Sequence, residues 1–259
     1  MCATTTATEA AGRPVALVTG AARRLGAAIA TALHDAGHNL VIHYGRSADA
    51  ARTLADALDQ RRPGSAIALG ANLANLAEVA ELAEGARAHW GRIDCLVNNA
   101  SAFYPTPLAE VTESQWDDLL ASNLKGPFFL SRALAADLSA AGGTIVNLAD
   151  INGRIALKGY PAYSIAKAGT LMLTRVLARE LAPAVRVNGI APGAILWAEG
   201  AAEMGEAARR RLLDRIPLGR PGDPADIAAL ALLLATRPGY LSGQTIAVDG
   251  GLSLAGGYD

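Results

Sequence analysis

Short apolar runs recur along this chain, alternating with longer Ala/Leu-rich stretches of helical pattern. The runs fall near 14–19 (PVALVT), 39–44 (NLVIHY), 65–70 (SAIALG), 93–98 (IDCLVN), 143–149 (GTIVNLA), 185–190 (VRVNGI) and 244–248 (QTIAV). Apolar runs this short, without alternation, predict strands buried on both faces. The intervening stretches predict helices near 26–37, 48–61, 75–90, 112–140, 161–182 and 223–236. Strand alternating with helix predicts βαβ units, hence a doubly wound α/β fold with one parallel seven-stranded sheet covered by helices on both faces. No Pro/Gly/Ser-rich linker divides the chain. Residues 1–12 carry no such pattern and are expected to be a disordered tail, leaving 13–259 as one domain. The segment 194–220 is rich in Ala, Glu and Arg, carries Trp197, and is too long for an ordinary connection. It is expected to form a helical lid over the site.

Composition narrows the function. The chain is 51% hydrophobic and 18% charged with a net charge of -1, so nothing in bulk electrostatics favours nucleic acid or an anionic membrane. Its two cysteines, Cys2 and Cys95, make no disulfide framework. The N-terminus shows no secretory apolar region and no run of 18 apolar residues occurs, which predicts a cytoplasmic protein without a membrane span. His34, His38, His43 and His89 are scattered without metal-ligand spacing, so no metal is expected.

The first strand runs into Thr19-Gly20-Ala21-Ala22-Arg23-Arg24-Leu25-Gly26 and then a helix. Glycines at such a turn let backbone approach a pyrophosphate, and the helix N-terminus offers it N–H groups. This is the arrangement of a Rossmann-type dinucleotide site, with Gly20, Arg23, Arg24, Leu25 and Gly26 as expected contacts. Arg24 stands where such loops often hold a glycine, placed to clamp a pyrophosphate and reach a substrate. The second strand ends in His43-Tyr44-Gly45-Arg46-Ser47, with no acid before Asp49. NAD enzymes of this architecture keep an acid there for the ribose 2′-OH. Tyr44, Arg46 and Ser47 therefore predict NADPH/NADP+, with Arg46 and Ser47 on the 2′-phosphate. Asn72 and Leu73 after strand three are expected beside adenine. Asn99, Ala100 and Ser101 after strand four are expected beside the ribose. Both asparagines also suit plain turn geometry.

The chemistry concentrates in NLADINGRIALKGYPAYSIAKAG, residues 147–169. Tyr163 and Lys167 lie four apart, on one face of a helix. Asp150 follows a buried strand at the end of the sheet where ligands bind. Tyr163 is the expected proton donor, with the Lys167 ammonium moving its pKa from ~10 toward working pH.

With these residues in place the chain resembles the short-chain dehydrogenase/reductases over about 14–252, on the Thr19–Gly26 turn, Asn98-Asn99-Ala100, Asn123, Tyr163-x-x-x-Lys167 and Pro192-Gly193. Within them it resembles the pteridine reductases, through Arg24, the His43–Ser47 run, the segment Asn98–Leu108 and Asp150 in the position usually held by serine. That resemblance implies NADPH-dependent reduction of a small-molecule pterin or folate at C=N, giving the tetrahydropterin, in a homotetramer. It implies that Lys167 bonds the nicotinamide ribose, that Pro192 and Gly193 lie near the nicotinamide, and that Asn123 holds a water behind Lys167. Phe103 would stack a flat pterin against the nicotinamide, with Ser101 and Arg24 on its polar edge; Trp197 either caps the pocket or packs nearby. Two positions depart from the pattern: Asn72 replaces an aspartate, and no threonine follows Pro192-Gly193 at the usual spacing. The rival expectations are a ketone reductase of the same superfamily, which a carboxylate at Asp150 disfavours, and a non-catalytic NADPH sensor, which a complete Asn123–Tyr163–Lys167 set disfavours.

Overall fold

The computed structural model describes residues 12–196, 205–237 and 239–254. Seven strands form one parallel sheet in the order β3-β2-β1-β4-β5-β6-β7. They are β1 Val15–Val18, β2 Asn39–Tyr44, β3 Ala66–Gly70, β4 Cys95–Asn98, β5 Thr144–Leu148, β6 Arg186–Pro192 and β7 Thr245–Val248. Strands β1, β4 and β5 are buried at every residue because each side of the sheet is covered. Ala16 and Val18 point into one core with Ile29, Leu33, Leu58, Ile227 and Leu234. Val15 and Leu17 point into the other with Leu82, Leu130, Leu134, Leu173 and Leu177. Helices α1 (Arg24–Asp35), α2 (Ala48–Arg61) and α9 (Pro224–Thr236) supply the first layer. Helices α3 (Leu76–Trp90), α5 (Gly126–Ala133), α6 (Ala135–Ala141) and α7 (Pro161–Glu180) supply the second.

The single helix expected over 112–140 is three helices. Helix α4 (Glu113–Leu120) opens on a capping box between Thr112 and Gln115, then widens into a π turn at Ala121–Lys125 before α5 begins, with α6 following. Pro127 accounts for the break. It has no N–H to give to the carbonyl of Asn123, four residues earlier. The Thr170 hydroxyl of α7 lies 3.2 Å from that carbonyl and 3.1 Å from the Ala166 carbonyl of its own helix, so the two share its one proton.

The segment 194–220 is only partly helical among the described residues, as α8 (Glu206–Leu213). It is anchored by Ile216, which joins Ala149, Ile151, Ala191 and Leu252 in a small core under the end of β5. Trp197 lies outside the described residues, as does the expected tail apart from Gly12. Among the described residues no helix is long and apolar enough to cross a membrane.

Candidate active site

The carboxyl edge of the sheet gathers the chemistry. Beyond β5 the chain turns at Asp150 into a short 3-10 helix, Ile151–Gly153, with Asp150 as its N-cap. One carboxylate oxygen accepts the Asn152 N–H at 2.8 Å and the other accepts the Tyr163 hydroxyl at 2.7 Å. The capping role and the contact with the Tyr163 phenol coexist in one side chain. Gly153 lets this turn sit on α7: an added Cβ would lie 2.7 Å from the Lys167 carbonyl carbon. Tyr163 and Lys167 project inward from α7, both almost fully buried. The Lys167 amine donates to the Leu148 carbonyl at 2.9 Å, which ties α7 to the end of β5.

Electrostatics in this pocket run against one sequence expectation. Tyr163 is pushed well above the usual phenol value, not lowered, because burial and then the Asp150 carboxylate both oppose a phenolate; a hydrogen bond from Ser101 works weakly the other way. The ammonium does not dominate here because the carboxylate stands closer to the phenol, whereas the Lys167 amine lies 5.7 Å from the Tyr163 ring centre. Burial lowers Lys167 to about 8, against the pull of Asp150. Burial raises Asp150, against hydrogen bonds from Asn152 and Tyr163 and the charge of Lys167. The arrangement is a neutral phenol hydrogen-bonded to a carboxyl group whose hold on a proton burial strengthens. Such a pair can deliver a proton and be recharged.

Asn123 sits in the π turn. Its amide donates to the carbonyls of Ala102 and Leu119, and its Oδ1 accepts from Ser101 at 2.7 Å. Ser101 therefore links the turn after β4 to the π turn. Phe103 lies edge-on to Tyr163, with ring centres 4.7 Å apart. It is also stacked on Tyr160 at 4.7 Å and 8°, so one of its faces is occupied by a residue the sequence did not single out.

A cleft of about 910 Å³, which Phe103, Asn123 and Asp150 do not line, runs from Ser101, Ala102 and Tyr104 across the ends of β4, β1 and β2. Gly20, Arg23, Arg24, Leu25, Gly26, Arg46, Asn72, Leu73, Asn99, Ala100 and Ser101 all line it. Tyr44, Ser47, Pro192, Gly193, Tyr163 and Lys167 do not. Tyr44 lies over Gly70, where an added Cβ would come within 2.9 Å of the ring, and Ser47 heads α2. Gly193 packs on Asp249, an added Cβ lying 2.6 Å from the aspartate Cβ. Asn72 is engaged in its own turn, its Oδ1 accepting the Ala74 N–H at 3.1 Å.

The β1–α1 turn is closely built. A Cβ on Gly26 would stand 2.2 Å from the Gly20 carbonyl oxygen, and one on Gly20 would stand 2.9 Å from the Ala100 Cα. The Asn99 amide stitches it by donating to the carbonyls of Thr19 and Gly20 at 2.8 and 3.1 Å. Arg24 adopts φ 54°, the left-handed conformation that explains why glycine is common in such loops. Sequence reading gave no site role to His43, Tyr104, Asp118 or Ser122, which also line the cleft. The Tyr104 hydroxyl donates to Asp118 at 2.7 Å; burial and this carboxylate push Tyr104 up to about 12. Among the described residues no three His, Cys, Asp or Glu side chains converge as metal ligands.

Comparison with known proteins agrees with this geometry. A family model described as enoyl-(acyl carrier protein) reductase matches residues 20–253. Pteridine reductase 1 of Leishmania tarentolae is 38% identical, over 93% of this chain and 96% of that protein. The 3-oxoacyl-(acyl-carrier-protein) reductase FabG of Staphylococcus epidermidis is 36% identical, over 92% of this chain and 98% of that one. The chain belongs to the short-chain dehydrogenase/reductase family. Short-chain dehydrogenase/reductases are oxidoreductases that use NAD(P)H. The cleft suits such a dinucleotide on its own residues. Its glycine turn leaves no room for a side chain, and the N-cap Arg23 makes no side-chain cap on α1, leaving that first turn able to receive a phosphate.

Proposed function

We propose that this protein is an NADPH-dependent pteridine reductase that reduces a C=N bond of a dihydropterin. The observation that carries the reading is the 2.7 Å hydrogen bond from Tyr163 to Asp150. A ketone reductase needs a neutral donor facing a developing alkoxide, and a carboxylate there opposes the charge. Reduction at a ring C=N needs a proton delivered to nitrogen, and a phenol backed by a carboxyl group supplies it. The bound dinucleotide supplies the hydride. Tyr163 gives the proton, Asp150 shares and replaces it, and Lys167 orients the ribose. Asn123, through Thr170 and Ser101, holds the π turn, α7 and the turn after β4 in register. Phe103 gives a flat ring an apolar face to stack on, with Arg24 and Ser101 at its polar edge.

Arg46, in the cleft at the end of β2 with no acid beside it, supports NADPH over NADH. A homotetramer is supported by a largely apolar groove of about 790 Å³ between α4, the π turn, α5 and α7. Exposed Ile165, Met172 and Val176 continue it as one stripe on α7. A second reading, reduction of a β-ketoacyl group, draws on the FabG relatives at 36% identity. The test is NADPH oxidation with dihydrobiopterin, dihydromonapterin, dihydrofolate and a β-ketoester. Turnover of at least one dihydropterin well above the ketoester is expected; the reverse order establishes the second reading.

A further inference from the structure

His43 is buried at the end of β2, 1% exposed, yet it borders the cleft. Its ring is held at both nitrogens. Nδ1 lies 3.1 Å from the Gly20 amide, and Nε2 lies 3.0 Å from the Ala71 carbonyl. An amide N–H can only donate and a carbonyl can only accept, so the pair of contacts fixes one neutral tautomer, with the proton on Nε2. Its own main chain completes the joint, because the Ala21 N–H donates to the His43 carbonyl at 2.9 Å. Three chain ends meet at this ring: the β1–α1 turn, the end of β2 and the exit from β3.

We infer that His43 is a positioning residue for dinucleotide binding, a spacer that sets the distance between the phosphate-binding turn at Gly20 and the wall of the cleft at Ala71–Asn72–Leu73. Gly20 has φ 61° and touches Ala100, so its amide direction is what the imidazole controls. Asn72 and Leu73 line the cleft directly after Ala71. With both contacts made, neither wall can shift without leaving a buried polar group unpaired. Burial favours the neutral ring this role requires.

The inference rests on reading the cleft as the dinucleotide site, and three substitutions separate the two. His43→Leu removes both hydrogen bonds. Asn at this position can still accept from Gly20 at the place of Nδ1, whereas Gln can still donate to Ala71 at the place of Nε2. Steady-state kinetics and NADPH fluorescence titration on the full chain, with a thermal melt of each variant, give the readout. His43→Leu is expected to raise the NADPH Kd and KM roughly tenfold while kcat at saturating NADPH stays within about twofold. His43→Asn should return most of the affinity, and His43→Gln should return much less. If His43→Leu does not fold, the comparison of the Asn and Gln variants decides. Equal NADPH affinity in those two, or wild-type affinity in His43→Leu, overturns the role of His43. A wild-type protein that binds neither NADPH nor NADH overturns the dinucleotide reading itself.

Discussion

At the scale of single residues, the proposed reaction turns on what Asp150 and Arg46 each add to a common scaffold. Asp150→Asn keeps the size of the side chain and an oxygen for the Asn152 N–H, but cannot share a proton with Tyr163. Dihydropterin turnover is expected to fall on the order of 10²–10⁴-fold in kcat, with Tm nearly unchanged by calorimetry. The same variant tests the pH dependence. Lys167, lowered to about 8 by burial, carries its charge below that pH and loses it above, so kcat/KM should decline on an alkaline limb near 8. Asp150 pulls the lysine upward, and removing its charge should move that limb to lower pH in a kcat/KM profile. Arg46→Ala should cut the NADPH-over-NADH preference by roughly 10–100-fold, the range for losing hydrogen bonds to a charged group. Unchanged preference in competitive kinetics would remove the 2′-phosphate assignment. Tyr163, Lys167 and Asp150 were legible in the sequence because helical spacing and strand ends fix where such side chains project. The direction of the Tyr163 shift was not, because it depends on how deeply the phenol is buried and on which charged group stands nearer. His43 was equally hidden: nothing local marks a histidine whose partners, Gly20 and Ala71, come from two other crossovers.

Among the elements, the strands could be read almost to the residue. A parallel strand buried on both faces has no solvent side, so it prints an uninterrupted apolar run, and Gly or polar residues bound it. Helices α2, α7 and α9 were equally clear, and in the structure the last opens on Asp223-Pro224 with a capping box between Asp223 and Asp226. The π turn was not, because its cause is split between Pro127, which deprives Asn123 of a helical partner, and Thr170, on another helix, which supplies a new one. Pro127→Ala restores the N–H and lets the ordinary helical ladder compete for the Asn123 carbonyl. The variant is expected to melt no lower than wild type, since a proline inside a helix costs about 3 kcal/mol. Its kcat should nevertheless fall, by up to ~10²-fold if Asn123 and Ser101 shift by an ångström. A melt together with single-turnover kinetics checks both halves.

For the whole molecule, the sheet order puts the glycine turn, the Asn98–Ala100 turn and Asp150 side by side at the ends of β1, β4 and β5. The cleft therefore crosses the point where successive crossovers change direction, as in other doubly wound sheets. On the outside, an apolar stripe on α7 is expected to be covered by another copy of the chain. Val176→Glu should dissociate the proposed tetramer, as read by light scattering; an unaltered mass would move the interface elsewhere. Asp150 finally bears on how such a scaffold diversifies. Its backbone task is to start a turn with a side-chain oxygen, and serine performs that task equally well. A position whose architectural duty is indifferent to acid or alcohol is free to vary in reactivity, so a lineage can move between oxygen and nitrogen electrophiles without rebuilding anything around it.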